Sequence, residues 1–375
     1  MKRFQTIVVG AGPAGLCAAL ALYKENIKDI CIIEIQNRNF HKPCAGLLTS
    51  KSNDNFKLLG IDVQRDLEYY KVKNILVFND DEYIFEVQYK NKEDFSFLLS
   101  RKPDRKTLDT YMREKCEDLG IKIFYETQIE DLNIEEKELK TNKDVFKYDS
   151  LIFADGVNGF SRRYNKLKSK NISVEAVVKA TRKEEFVNLY FGVADQGYAW
   201  IANTGTYVNI GFTDLFEEKT NYVNKLIEFA KKYGYDIAKK DVVGATYPNH
   251  PHKNVAFDDI YLIGDAAGIT DPWTAEGLYY ASSTAMLVAK AIKNNDNTIY
   301  LRGIRGFQSK SKFHHRVKKF FYRRFIRQKF FNLCKKKTGF ISFLLYHYLL
   351  KGTYNTIVEA YREYKKSREI VKNEL

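Results

Sequence analysis

Six residues near the start of the 375-residue chain, Gly10-Ala11-Gly12-Pro13-Ala14-Gly15, have the types and spacing to hold a pyrophosphate. In a G-x-G-x-x-G run the first glycine permits a tight turn, the second lets backbone approach the phosphates, and the third lets the following helix pack on the preceding strand. Free N–H groups and the positive end of the helix then face the anion. Glu34 lies 19 residues beyond Gly15, where an acid accepts hydrogen bonds from the adenosine ribose and disfavours a 2′-phosphate. Two more turns place Asp beside Gly after an apolar run, Asp155-Gly156 and Gly264-Asp265. Each alone reads as an ordinary loop. No second G-x-G-x-x-G occurs, so any further dinucleotide such as NAD(P)H, or an electron carrier protein in its place, is expected to dock transiently.

Other reactive side chains fit fewer chemistries. Cys17, Cys31, Cys44, Cys116 and Cys334 form no CxxC pair and their number is odd, which excludes a disulfide framework and suits a reducing cytosol. His250, His252 and the pair His314-His315 lack companion ligands at metal spacing, so no metal site is expected.

The elements that must position these residues follow from periodicity. Ile7 to Val9, an Ala- and Leu-rich stretch from Pro13 to Glu25, and Ile30 to Ile33 make a strand, helix, strand unit, which implies a parallel sheet. Alternating runs at Ile75 to Phe78, Tyr83 to Val87 and between 174 and 213 predict a second sheet outside it. Buried strands return at Leu151 to Phe153 and Tyr261 to Ile263, with helices over Arg105 to Leu119, 217 to 234 and Glu276 to Lys293. The expected fold is α/β with an α+β insert. A discontinuous Rossmann-like domain spans 1–60, 95–165 and 250–300, an antiparallel-sheet substrate domain spans 61–94 and 166–249, and a helical extension covers 301–375.

The three turns, in this order, resemble the signatures of the flavin hydroxylase superfamily, which implies FAD. That resemblance sets Asp265 against the ribityl chain and the helix after Pro272 near the isoalloxazine ring, and it makes Arg105, or else Arg101, a contact of the FAD phosphates. His41-Lys42-Pro43-Cys44-Ala45-Gly46-Leu47-Leu48, Gly197-Tyr198-Ala199-Trp200-Ile201 and the stretch Gly264 to Tyr280 are similar to segments of the geranylgeranyl reductase family. The resemblance runs from about residue 5 to 293. It implies FAD contacts at Gly10, Gly12, Pro13, Ala14, Gly15, Glu34, Cys44, Ala45, Gly46, Asp155, Gly156, Gly264, Asp265 and Gly277. It further implies Cys44 beside the flavin, gating substrate or assisting protonation, unless it is a small buried residue. Tyr198 and Trp200 are expected as a wall over the substrate or as sheet core, and Glu276 as a proton carrier or a helix-start carboxylate.

Two departures bear on the substrate side: Ala45 stands where the family has a further glycine, and Asn203 where it has proline. The flavin halogenases' Trp-x-Trp-x-Ile-Pro segment does not occur. The implied reaction is FAD-dependent reduction of C=C bonds in a polyprenyl or lipid substrate. An NAD(P)H-dependent aromatic monooxygenase and a non-catalytic flavoprotein that binds lipid or a partner are the alternatives.

Charge adds a location. The chain has 61 Lys and Arg against 47 Asp and Glu, a formal net charge of +14. Between Asp296 and Glu359 there are 15 basic residues and no acidic one, so the remainder is nearly neutral. Basic residues interleave there with aromatics, and Phe313, Val317, Phe321 and Phe325 recur every four positions, which predicts one apolar helix face with cationic flanks. Such a helix suits an anionic membrane surface, through residues 307–350; the other reading packs the aromatics on the body. No base-reading motif accompanies the charge, so nucleic acid is not the expected partner. The longest apolar stretch, Phe340 to Leu350, is about half of the ~20 residues a spanning helix needs, and no leader peptide is read at the N-terminus. A cytoplasmic protein, peripheral on the inner face of the cell membrane, is the expectation.

Overall fold

The computed structural model describes residues 1–40, 42–72, 74–88, 96–100, 106–164, 170–336, 338–344, 359 and 361–366. Among these, nine α-helices are α1 (Pro13–Lys24), α2 (Ser50–Leu58), α3 (Val63–Asp66), α4 (Leu108–Asp118), α5 (Tyr222–Lys232), α6 (Leu278–Lys293), α7 (Asn297–Phe321), α8 (Arg324–Lys336) and α9 (Thr338–Leu344).

The first sheet is built on parallel pairing. Lys2–Val9 lies between Val145–Phe153 and Ile30–Ile33, with Lys122–Phe124 beyond the latter and Ile260–Leu262 beyond the former. Its central strands carry continuous β-branched and apolar runs because both faces are covered, and Ile7, Val8, Ile32, Leu151, Ile152 and Phe153 are fully buried. A hairpin, Ile129–Asn133 with Glu138–Thr141, extends from it. The second sheet runs in the order Val243–Pro248, Lys170–Lys179, Tyr207–Leu215, Tyr198–Thr204, Glu185–Phe191, Asn74–Asn79, Glu82–Gln88. It is antiparallel except where Glu185–Phe191 meets Asn74–Asn79. Three short strands, Leu47–Leu48, Tyr69–Val72 and Ser96–Leu99, form a third sheet without a clear sequence signal; each is at most four residues long.

The expected Rossmann-like α/β fold with an antiparallel sheet and C-terminal helices is therefore observed. The C-terminal helices differ from the periodic reading. α7 ends at Phe321, so the four-residue repeat is cut before Phe325, which is 65% exposed on α8. The break allows Phe321 and Tyr322 both to be buried, and these join Phe331, Cys334 and Ile341 in one core with Val77, Phe85, Val87, Val187 and Trp200 of the second sheet. Some of the charge also turns inward. Lys318 Nζ donates to Asn171 Oδ1 at 3.0 Å, and Arg327 Nε donates to Asn79 Oδ1 at 2.9 Å. Burial lowers Lys318 to about 8. Up to Leu344 the basic segment is thus part of the body. Among the described residues no helix is long and apolar enough to cross a membrane.

Phe331 is 2% exposed, so Phe331→Ala should cost about 3–5 kcal/mol in urea unfolding, whereas Phe325→Ala should change stability by less than about 0.5 kcal/mol.

Candidate functional site

One cavity of about 1860 Å³ runs from the glycine loop, across the 42–49 loop, to the inner face of the second sheet and the aromatics of α7 and α8. Ligand pockets commonly enclose roughly 300–1,000 Å³. The volume therefore admits a dinucleotide and a second, apolar molecule together.

At one end the strand Lys2–Val9 feeds the glycine loop. Gly10 has φ +101°, and a Cβ there would meet the Ala154 carbonyl oxygen at 2.6 Å. Gly12 caps α1 with no side-chain hydrogen bond, and Pro13 occupies the first turn, where its missing N–H costs nothing. A Cβ on Gly12 would meet no protein atom within 4 Å, so this residue's backbone stands open to the cavity. Gly15 is different: a Cβ would lie 1.9 Å from the Gly10 carbonyl oxygen, which makes it a packing residue behind the wall. Glu34 accepts from Ala11 N–H at 2.6 Å through Oε2 and from Gln36 N–H at 2.7 Å through Oε1. Each oxygen can accept a further hydrogen bond, and Glu34 lines the cavity.

The other turns close the same space. Asp155 and Gly156 line it, but the Asp155 carboxylate accepts from Ser161 N–H at 2.8 Å and from the Ser161 hydroxyl. Burial pushes Asp155 up to about 6, against those bonds. Asp265 forms an ion pair with Lys42 at 2.6 Å and accepts from the Thr270 hydroxyl. Gly264 does not line the cavity; at φ +53° it lets α1 and α6 approach, since a Cβ would meet Ala14 Cβ at 2.9 Å. Ala14 and Gly277, the residue before α6, are in the wall. Arg105 and Arg101 lie outside the described residues.

Cys44, Ala45 and Gly46 line the junction between the two parts. Cys44 N–H donates to Glu175 Oε1 at 2.9 Å, and its sulfur accepts from Gly46 N–H at 3.4 Å. Tyr198 and Trp200 form cavity wall and sheet core at once. The Tyr198 hydroxyl donates to the Thr274 carbonyl at 2.6 Å, and burial raises its pKa, so it acts as a brace. Trp200 Nε1–H donates to Asn209 Oδ1 at 2.6 Å. Glu276 precedes α6 and pairs with Lys51 at 2.5 Å, with Thr49 Oγ1 donating at 2.5 Å.

Residues that sequence reasoning missed cluster around the loop 271–277. Asp271 Oδ1 accepts from the N–H groups of Trp273 and Thr274, at 2.9 and 3.0 Å, and Oδ2 takes His314 Nδ1–H at 2.6 Å. Ala275 holds φ +59°, strain of order 1–3 kcal/mol that the surrounding bonds must offset. His314 had no usable signal, because its partner is 43 residues away. No group of three or more His, Cys, Asp or Glu able to hold a metal is found among the described residues.

A Rossmann-like loop open at Gly12, an acid at the end of the second strand and a continuous cavity between two sheets define a dinucleotide-binding flavoprotein. Residues 3–295 match the family described as FAD binding domain; the chain belongs to that family, FAD is its cofactor, and it is an FAD-dependent oxidoreductase. The digeranylgeranylglycerophospholipid reductase of Methanocaldococcus jannaschii is 26% identical over 318 residues, 78% of each chain. Among solved structures, a geranylgeranyl bacteriochlorophyll reductase-like protein from Thermoplasma acidophilum superposes with a TM-score of 0.72 at 18% identity, covering 86% of this chain and 88% of that one. The p-nitrophenol 4-monooxygenase of Pseudomonas putida superposes with a TM-score of 0.71 at 15% identity, covering 90% and 95%. The fold is thus shared by reductases and monooxygenases.

The glycines separate ligand loss from misfolding. Gly12→Val should still fold, with a stability loss of at most about 1 kcal/mol from the poorer helix cap, yet lose FAD at least about tenfold in affinity by flavin fluorescence titration, because its side chain enters the open space. Gly15→Ala should lower the melting temperature as well. A thiol reagent on the native protein should label one cysteine, Cys44, since the other four are buried; bound FAD should slow that labelling.

Proposed function

We propose that this protein reduces isolated C=C bonds in a polyprenyl chain or polyprenyl lipid. The observation that carries the reading is the apolar arm continuous with the dinucleotide end, walled by Val77, Phe85, Val187 and Leu189 of the second sheet and by Phe321 and Phe331 of α7 and α8. Such an arm favours a long hydrocarbon over a small polar aromatic. Bound and reduced, FAD supplies the hydride that alkene reduction needs.

The chain's own residues bind, orient and exclude water. The glycine loop and Glu34 would hold the adenosine half of the cofactor, Asp265 with Lys42 would hold its middle, and the 44–46 backbone with Gly277 would border the ring. Tyr198 and Trp200 form a wall beside the reacting bond, their polar ends tied off by Thr274 and Asn209 so that no free hydroxyl or N–H faces the alkene. Cys44 gates the passage between cofactor and hydrocarbon.

Access for a membrane lipid follows from the exposed aromatics. Phe313 and Phe320 line the cavity and are also half exposed, with Lys312, Arg316, Lys319, Arg323 and Arg324 exposed around them. We infer that this mouth rests on an anionic bilayer, where each Lys or Arg near the surface contributes about 1 kcal/mol.

Protein reduced anaerobically with dithionite should be reoxidised by a geranylgeranylated glycerophospholipid, with saturated product found by mass spectrometry. A protein that reoxidises only with dioxygen and an aromatic substrate would instead be a monooxygenase. Cys44→Ser should retain FAD and lose most turnover; full activity would remove Cys44 from the chemistry.

A further inference from the structure

Two buried polar side chains of the second sheet stand behind the cavity wall. Glu175 on the strand Lys170–Lys179 and Asn209 on the strand Tyr207–Leu215 are 2% and 5% exposed. Neither lines the cavity, yet the path of bonds they make ends at two residues that do, Trp200 and Cys44. Their neighbours Val174, Ala176, Val208 and Ile210 belong to the core that α5 covers, as do Ala199 and Ile201 on either side of Trp200. Side chains alternate along a strand, so Glu175, Asn209 and Trp200 share the opposite face.

A buried carboxyl and a buried amide need hydrogen-bond partners, and here they serve each other. Trp200 Nε1–H donates to Asn209 Oδ1 at 2.6 Å, Asn209 Nδ2 donates to Glu175 Oε2 at 3.3 Å, and Cys44 N–H donates to Glu175 Oε1 at 2.9 Å. The directions are forced. An indole N–H and a backbone N–H can only donate, so Asn209 turns its oxygen to Trp200 and its NH₂ to Glu175, which receives at both oxygens. Gly211 makes room for the path: the register sets it opposite both Glu175 and Trp200, and a Cβ there would collide with the indole. The far end is tied as well, since the Cys44 sulfur accepts from Gly46 N–H at 3.4 Å and the Gly46 carbonyl accepts from Leu99 N–H at 2.9 Å. The loop at the junction thus hangs on Leu99 of the third sheet and on Glu175 of the second.

We propose that Glu175 and Asn209 are positioning residues of this site: they tie the Trp200 wall to the Cys44 backbone and so set the passage between the dinucleotide end and the apolar arm. Their part in turnover rests on the alkene-reduction reading above. Trp200 and Cys44 come from different sheets and different loops, and the path holds them in one register across the junction. A side chain behind the wall thereby decides how the wall and the gate face each other, without touching either ligand.

The rate at which iodoacetamide labels Cys44 in the full-length FAD-loaded protein reads the path without any substrate. In Glu175→Gln an amide replaces one acceptor, and whichever way it turns a donor is left facing a donor, so labelling should quicken about tenfold. Asn209→Leu, which removes the middle of the path without entering the cavity, should quicken it about threefold. In the double variant Glu175→Gln with Asn209→Asp the acid and the amide exchange places, every bond again runs from donor to acceptor, and the rate should return to within about twofold of the wild type. Cys17, Cys31, Cys116 and Cys334 are buried and should stay unlabelled, which separates a freed loop from a loosened fold; if Glu175→Gln exposes them, the double variant decides. A wild-type rate in a folded Glu175→Gln, or a double variant as fast as Glu175→Gln, overturns the proposal. In anaerobic reoxidation of dithionite-reduced protein by a geranylgeranylated glycerophospholipid, Glu175→Gln should lower the limiting rate about 10- to 100-fold with FAD content unchanged, and the double variant should recover it. An unchanged limiting rate in Glu175→Gln overturns the positioning role. A wild type that no alkene reoxidises removes the reduction reading alone, and the labelling rates still decide whether the path holds the loop.

Discussion

The arrangement of the whole site depends on one buried carboxylate. Asp271 carries a charge in a buried position, and a charge left there alone would cost several kcal/mol. Its neighbours therefore have to converge: two N–H groups of its own loop, and the His314 ring brought in from α7. That loop in turn accepts the Tyr198 hydroxyl from the second sheet. Three parts of the chain far apart in sequence are thereby fixed to one point, and the positive φ of Ala275 is tolerated because these bonds over-determine the loop.

The second constraint is the covering of an apolar sheet face. The second sheet presents Val77, Phe85, Val187 and Trp200 on one side, and α7, α8 and α9 supply Phe321, Phe331 and Ile341 against them. The aromatics cover part of the face while an apolar space remains beside it, so the same packing both holds the sheet and shapes the apolar arm of the cavity. Lys318 and Arg327 are carried into the interior and each finds an asparagine side chain to donate to, which is the condition on which buried cations are retained. The basic segment is accordingly wall and surface together, with the exposed cations on its outer side.

Much of this was legible in the residues. The strand–turn–helix at the N-terminus combines local signals: a β-branched run, glycines whose missing side chains permit the turn, and a proline at the first helical position. Gly10, Gly12, Glu34, Asp155 and Asp265 do meet along one cavity wall. The third sheet was not legible, because its strands are too short for a period-two pattern to stand out. Nor was the end of α7 at Phe321, since neither Gly nor Pro marks it and the four-residue repeat runs straight through.

Local sequence alone determined the parallel core, the glycine loop and the excess charge of the C-terminal segment, because each is set by residue types within a few positions of one another. Only tertiary structure decided that the basic segment closes the cavity, that Gly15 and Gly264 serve packing where Gly12 faces the ligand space, and that Asp271 meets His314. The physical reason is separation along the chain. A pair 43 residues apart leaves no periodic trace, and its meaning comes from low dielectric surroundings that exist only once both sheets and the C-terminal helices have excluded water.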